Sequence, residues 1–191
     1  MTDINHKLDL LYDLLVDNFT ILKNELIGLI AQPGKIDNTN KFASLLSELK
    51  NSDFIGPLLY QISLADRNDI WLTDYLYAAI NLLEESSFDD EFAVPPNFIA
   101  KLEAWIINNK GELAWKAANL LKYLESEQAE RIQLKKLEER GDFFLTYVEC
   151  ILGLLRYNKA KHMSMAKQIA EDETRDNELR EFCRDIISRQ Y

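Results

Sequence analysis

The sequence predicts an all-α chain of stacked helix pairs, one domain over residues 1–191, and three observations predict it. Turn formers are scarce, 6 Gly and 4 Pro in 191 residues, whereas sandwiches and barrels need many turns. Apolar residues recur at spacings of three and four along most of the chain, and no window alternates convincingly at period two. Short segments mixing small residues and leucines return at offsets of 30 to 38. With 47% hydrophobic and 28% charged residues, the composition is globular, and the length suffices for a core without disulfides or metal.

The first helix is long. Leu8, Leu11, Leu15, Phe19, Leu22, Leu26 and Leu29 make one of its faces, with Asp9, Asp13 and Asp17 on another. Thr2 or Asp3 caps its start and Pro33-Gly34 ends it. Phe42, Leu45, Leu46 and Leu49 give a second helix. Asn51-Ser52-Asp53 is a turn, and Gly56-Pro57 begins a short helix carrying Leu58, Leu59 and Ile62. Trp71 to Leu83 is the next helix, and residues 86–96 are the longest irregular stretch. Pro95-Pro96 opens a helix with Phe98, Leu102 and Trp105, because proline is tolerated in a first turn. Gly111 separates it from the helix of Leu113 to Leu124. Helices over residues 127–140, 143–157, 163–171 and 179–187 bring the total to about ten, with Gly141-Asp142 as punctuation.

Five segments share one frame. The run Ala78 to Leu83 aligns with Lys116 to Leu121 at an offset of 38, and Phe42 to Leu46 fits 37 residues earlier. Tyr147 to Ile151 and Phe182 to Ile186 come at further steps of 30 and 35. Small residues where helices cross, with leucines beneath, describe an α-solenoid. Over residues 40–191 the chain resembles the HEAT-like repeat proteins in pattern, while its period is shorter and uneven and the usual proline and Asp/Arg positions are missing. The resemblance implies a short HEAT-like α-solenoid with a concave binding face. An irregular multi-helix bundle is the alternative.

The net charge of −10 is unevenly spread. Residues 1–95 hold 16 Asp+Glu against 6 Lys+Arg, and residues 96–191 hold 16 against 16. Such a field disfavours nucleic acid and anionic lipid and steers a basic partner toward the first half. Simple solubility is the other reading of the same charge. No run of 18 apolar residues is present and no secretory leader is recognisable. Cys150 and Cys183 sit within apolar helical stretches, where cysteines act as small buried hydrophobes. A cytoplasmic protein is expected.

Chemical motifs are sparse. His6 and His162 are far apart and no CxxC occurs, so no metal site is expected. The six glycines are too dispersed to cradle phosphate, and no serine lies within GxSxG. No cofactor and no catalytic residue is assigned. Glu127 and Glu130, with Glu139 and Asp142 after them, resemble the ExxE…ExxD pattern of all-helical, magnesium-dependent nucleotide pyrophosphohydrolases. In that chemistry, carboxylates on two facing helices hold the metal against a phosphate. Here eight residues separate the pairs, too few for a turn and a returning helix.

Two surfaces are candidates for binding protein. The first is the acidic stretch of Glu84, Glu85, Phe88, Asp89, Asp90 and Glu91, read either as a solvated linker or as a docking element with aromatic anchors inside a charged rim. The second is a helical stripe of Asp74, Tyr77, Asn81 and Glu84, set beside Glu112, Trp115, Asn119 and Lys122 in the next repeat. Tyr77 and Trp115 serve there as interface aromatics or else pack into the core. In size, charge and helix content the chain is similar to the small acidic immunity proteins of bacterial polymorphic-toxin systems, a resemblance that carries over no site residue. It implies a non-enzymatic inhibitor that neutralises a basic toxin by binding it. An adaptor or scaffold subunit is the alternative.

Overall fold

A computed structural model describes residues 18–86 and 92–189. Every regular element among them is helical. Helix α1 covers residues 18–30, and α2 (Thr39–Leu49), α3 (Ile55–Leu64), α4 (Leu72–Glu85) and α5 (Phe98–Asn108) come after it. Then come α6 (Glu112–Leu121), α7 (Glu127–Glu138), α8 (Phe144–Glu171) and α9 (Asn177–Ser188). The expected cap at Thr2 or Asp3, and the leucines at 8, 11 and 15, lie outside the described residues.

Local chemistry fixes most boundaries. The Asn38 side chain accepts from Lys41 N to start α2, Ser126 from Ala129 N to start α7, and Asp176 from Glu178 N and Leu179 N to start α9. Gly111, at φ 72°, makes the turn between α5 and α6, a conformation costly for a residue with a Cβ. Two expected boundaries are corrected. Residues 33–35 form a separate 3-10 turn after α1 has already closed at residue 30. Pro95-Pro96 precedes rather than opens α5, which starts at Phe98 after Asn97 takes φ 60°. A residue before proline is pushed out of the α region, so the first of the two prolines cannot belong to a helix.

The helices pack in pairs and the pairs pack in series. Helix α3 lies against α4, α5 against α6, α7 against α8, and α8 against α9. A second set of contacts joins α2 to α4, α4 to α6 and α6 to α8, so these helices form a row with α9 at its end. The five segments of the common sequence frame all fall in this row. Ala43, Ala78, Ala79, Ala117, Ala118, Cys150 and Cys183 are fully buried there, small side chains that let neighbouring helices approach. At the start of the stack, Phe42 and Trp71 flank the buried Tyr75, with ring centroids 6.4 and 4.9 Å away, and its hydroxyl donates to Ile30 O of α1 at 3.3 Å.

The two halves of α8 pack differently. At Asn158 the backbone leaves the helix (φ −155°, ψ 90°), and its side chain accepts from Lys161 N at 3.0 Å, capping the second half of α8. The first half of α8 packs in the row, and Glu130 of α7 is tied to Lys161 and His162 in the second half at 2.5 and 2.7 Å.

Candidate protein-binding surface

The predicted stripe lies on the row of α2, α4, α6 and α8, and most of its polar groups join one helix to the next. Asp74 of α4 accepts from Thr39 Oγ1 of α2 at 2.5 Å, and Asn81 donates to Ser47 at 3.2 Å. Glu85 pairs with Lys50 at 2.9 Å at the ends of the same two helices. Between α4 and α6, Lys116 donates to Thr73 O at 3.1 Å, lies 5.8 Å from the Tyr77 ring centroid, and pairs with Glu112 at 3.0 Å. One step on, Tyr123 donates to Glu84 at 2.8 Å. Burial, then the bond to Glu84, pushes the Tyr123 phenol above its ordinary range. Lys122 reaches Glu149 of α8 at 2.8 Å.

The aromatic positions divide. Tyr77 is 43% exposed, so it does not pack into the core. Trp115 is half-buried, edge-on to Phe143 at 5.9 Å, and Phe143 in turn meets Phe144 at 5.6 Å. The Trp115 Nε1 and Asn119 Oδ1 atoms are covered and have no hydrogen-bond partner among the described residues. Phe143, 41% exposed, extends the patch, although periodicity makes it only the first apolar residue of a helix. No local signal in the sequence marks it, since doublets such as Leu58-Leu59 and Leu120-Leu121 are wholly buried. Of the acidic stretch, Glu84 and Glu85 end α4 as exposed side chains, whereas Phe88, Asp89, Asp90 and Glu91 lie outside the described residues.

The surface is therefore acidic side chains around partly exposed aromatics, carried on helices except for Phe143, which immediately precedes α8. An exposed ion pair such as Lys50–Glu85 contributes about 0–1 kcal/mol. Its carboxylate can change partner at little cost.

The carboxylates at 127–142 are differently placed. Glu130 is buried against Lys161 and His162, and the bond from Lys161 holds it below the ordinary carboxylate range against the effect of burial. Glu139 and Asp142 both pair with Lys136, at 2.9 and 2.8 Å. Among the described residues no group of three or more His, Cys, Asp or Glu side chains is arranged to hold a metal ion. Both cysteines are buried, and burial raises both thiols, that of Cys183 to about 11. No helix among the described residues is long and apolar enough to cross a membrane.

A second surface has no distinct signal in the sequence. Between the first half of α8 and α9 lies an open groove of about 540 Å³, floored by Leu152, Leu155, Phe182 and Ile186. These residues sit at ordinary helical spacing, so periodicity alone reads them as core. No protein-family model matches this chain, and no curated protein or solved structure is significantly similar to it.

Proposed function

We propose that this chain is a non-enzymatic protein-binding module of the cytoplasm, and that its partner is a basic protein docked on the α4–α6–α8 row. The observation that carries the reading is the combination on one face of Tyr77, Trp115 and Phe143 with Glu84, Glu85 and Glu112. Aromatic side chains supply interface area at low entropic cost, and surrounding carboxylates steer a cation-rich partner. Placing Tyr77 and Trp115 on packed helices, and Phe143 at the start of one, limits the ordering cost of binding. The pairing of Glu130, Glu139 and Asp142 with internal cations supports a structural role for those carboxylates, not a magnesium site.

Within this class, inhibition of a toxin by direct binding fits best. Capture of a basic, diffusing enzyme profits from the excess of 16 acidic over 6 basic residues in the first half. The stacked-pair architecture would serve as a short α-solenoid scaffold. The experiment is affinity capture from the native cell with the wild-type chain, Tyr77→Ala, and the double change Glu84→Lys, Glu85→Lys. Loss of the aromatic is expected to weaken binding tenfold or more, and charge reversal to flatten its salt dependence. A captured enzyme whose activity the chain blocks supports inhibition, and a captured structural assembly supports the adaptor reading. Binding untouched by both variants would place the interface elsewhere.

A further inference from the structure

The seams of the helix row are closed differently along its length. Near the C-terminal ends of the helices, Lys50–Glu85 closes α2 to α4 and Tyr123–Glu84 closes α4 to α6. The last seam, between the first half of α8 and α9, opens instead into the groove whose floor is Leu152, Leu155, Phe182 and Ile186.

Its rim has the opposite charge to the rest of the row. Arg156 and Lys159 stand on the α8 side, with Arg189 and Asp185 on the α9 side. Asp185 is matched by Arg189 at 3.4 Å, and Arg156 is bonded to Glu125 at 2.9 Å. Lys159 is exposed and has no ion-pair partner among the described residues. An apolar floor between cationic edges suits an amphipathic helix that carries carboxylates beside its apolar face.

The chain itself encodes such a segment. Residues 8–17 place Leu8, Leu11 and Leu15 at spacings of three and four, with Asp9, Asp13 and Asp17 at intervals of four. As a helix, that pattern is an apolar stripe bordered by a carboxylate stripe. We infer that the α8–α9 groove receives residues 8–17 of a second copy of this chain. The leucines meet the floor, and the aspartates meet Lys159 and the neighbouring arginines. The two surfaces in contact are different, so a one-way contact leaves one groove and one segment of the pair free for further copies, whereas a reciprocal exchange closes a two-fold dimer. In either arrangement association grows with concentration. It depends on the α8–α9 groove and not on the row face proposed for the foreign partner.

Sedimentation equilibrium of the full chain tests this, together with titration of a labelled synthetic peptide of residues 1–18. The expected result is a mean mass that rises above 22.2 kDa with concentration and falls with added salt. The surface changes Lys159→Glu and Arg189→Glu should abolish the rise and weaken peptide binding at least tenfold. Asp9→Lys with Asp13→Lys should do the same, and combining the two pairs of changes should restore association. Lys159 and Arg189 are exposed, and circular dichroism checks that each variant folds. A chain that stays monomeric at every concentration overturns the proposal, whether the groove then holds its own N-terminal segment or a foreign protein. Association that ignores both charge changes overturns it as well.

Discussion

Lys136 is the least expected side chain in the protein, a lysine with no exposed surface at all. Burial lowers its proton affinity, but hydrogen bonds to Asp142 and Glu139 outweigh that and leave it above the ordinary lysine range. Asp142 completes the site by accepting from Gly111 N at 2.9 Å and Phe143 N at 2.7 Å, so one carboxylate ties the α5–α6 turn to the α7–α8 turn. Burial raises Asp142, yet Lys136 and these two N–H groups hold it below the ordinary aspartate range. Asp142→Ala leaves the buried Lys136 with Glu139 alone and takes the acceptor from Gly111 N and Phe143 N, and should cost about 2–4 kcal/mol in urea denaturation at neutral pH. A depressed carboxylate stabilises the fold above its unfolded pKa of about 3.9, and that stability is lost as pH falls through the lower folded value. The wild type should therefore lose stability below about pH 4 more steeply than Asp142→Ala. Gly153 makes a second case at this scale. A Cβ there would run into the buried side chain of Gln133 on α7. Overpacking costs about 1–3 kcal/mol, against about 1 kcal/mol of helix propensity gained. Gly153→Ala should be destabilising alone and stabilising in a Gln133→Ala background, as read by a thermal double-mutant cycle.

Helix α8 shows how far an element can be read from sequence. Its two amphipathic halves are visible as separate helices over 143–157 and 163–171, but the join is not, because no glycine or proline marks it. The break at Asn158 depends on the side-chain cap to Lys161 N and on packing of the second half against α7 and α9, which no local pattern carries. Asn158→Ala should cost about 1 kcal/mol by loss of the cap, and Asn158→Ser much less, in chemical denaturation. The stripe residues are legible for a related reason. Asp74, Tyr77, Asn81 and Glu84 share one face of α4 by spacing alone. What spacing cannot supply is their partners, so Asp74 and Asn81 read as free recognition groups although they bond to Thr39 and Ser47 of the adjacent helix. The α8–α9 groove is invisible in the sequence because a leucine on the floor of an open groove and a leucine in a core obey the same periodicity.

At the scale of the whole molecule, the two thiols report on different parts of the stack. Cys150 lies in the first half of α8, inside the row, and Cys183 in α9 at its end, both fully buried. Neither should react with an aromatic disulfide reagent in the native state at neutral pH. In urea below the main transition, Cys183 should be labelled before Cys150, with the order read by mass spectrometry, since terminal elements open at lower free energy than central ones. Equal labelling would mean that the stack opens as one unit. The order of the packing also bears on how the chain is made. The bonds between successive pairs reach across 27 to 45 residues, from Lys122–Glu149 to Tyr75–Ile30. A ribosome adding roughly 5–20 residues per second supplies that length in a matter of seconds. Each pair can thus find its neighbour soon after emerging, before the last helix has been translated.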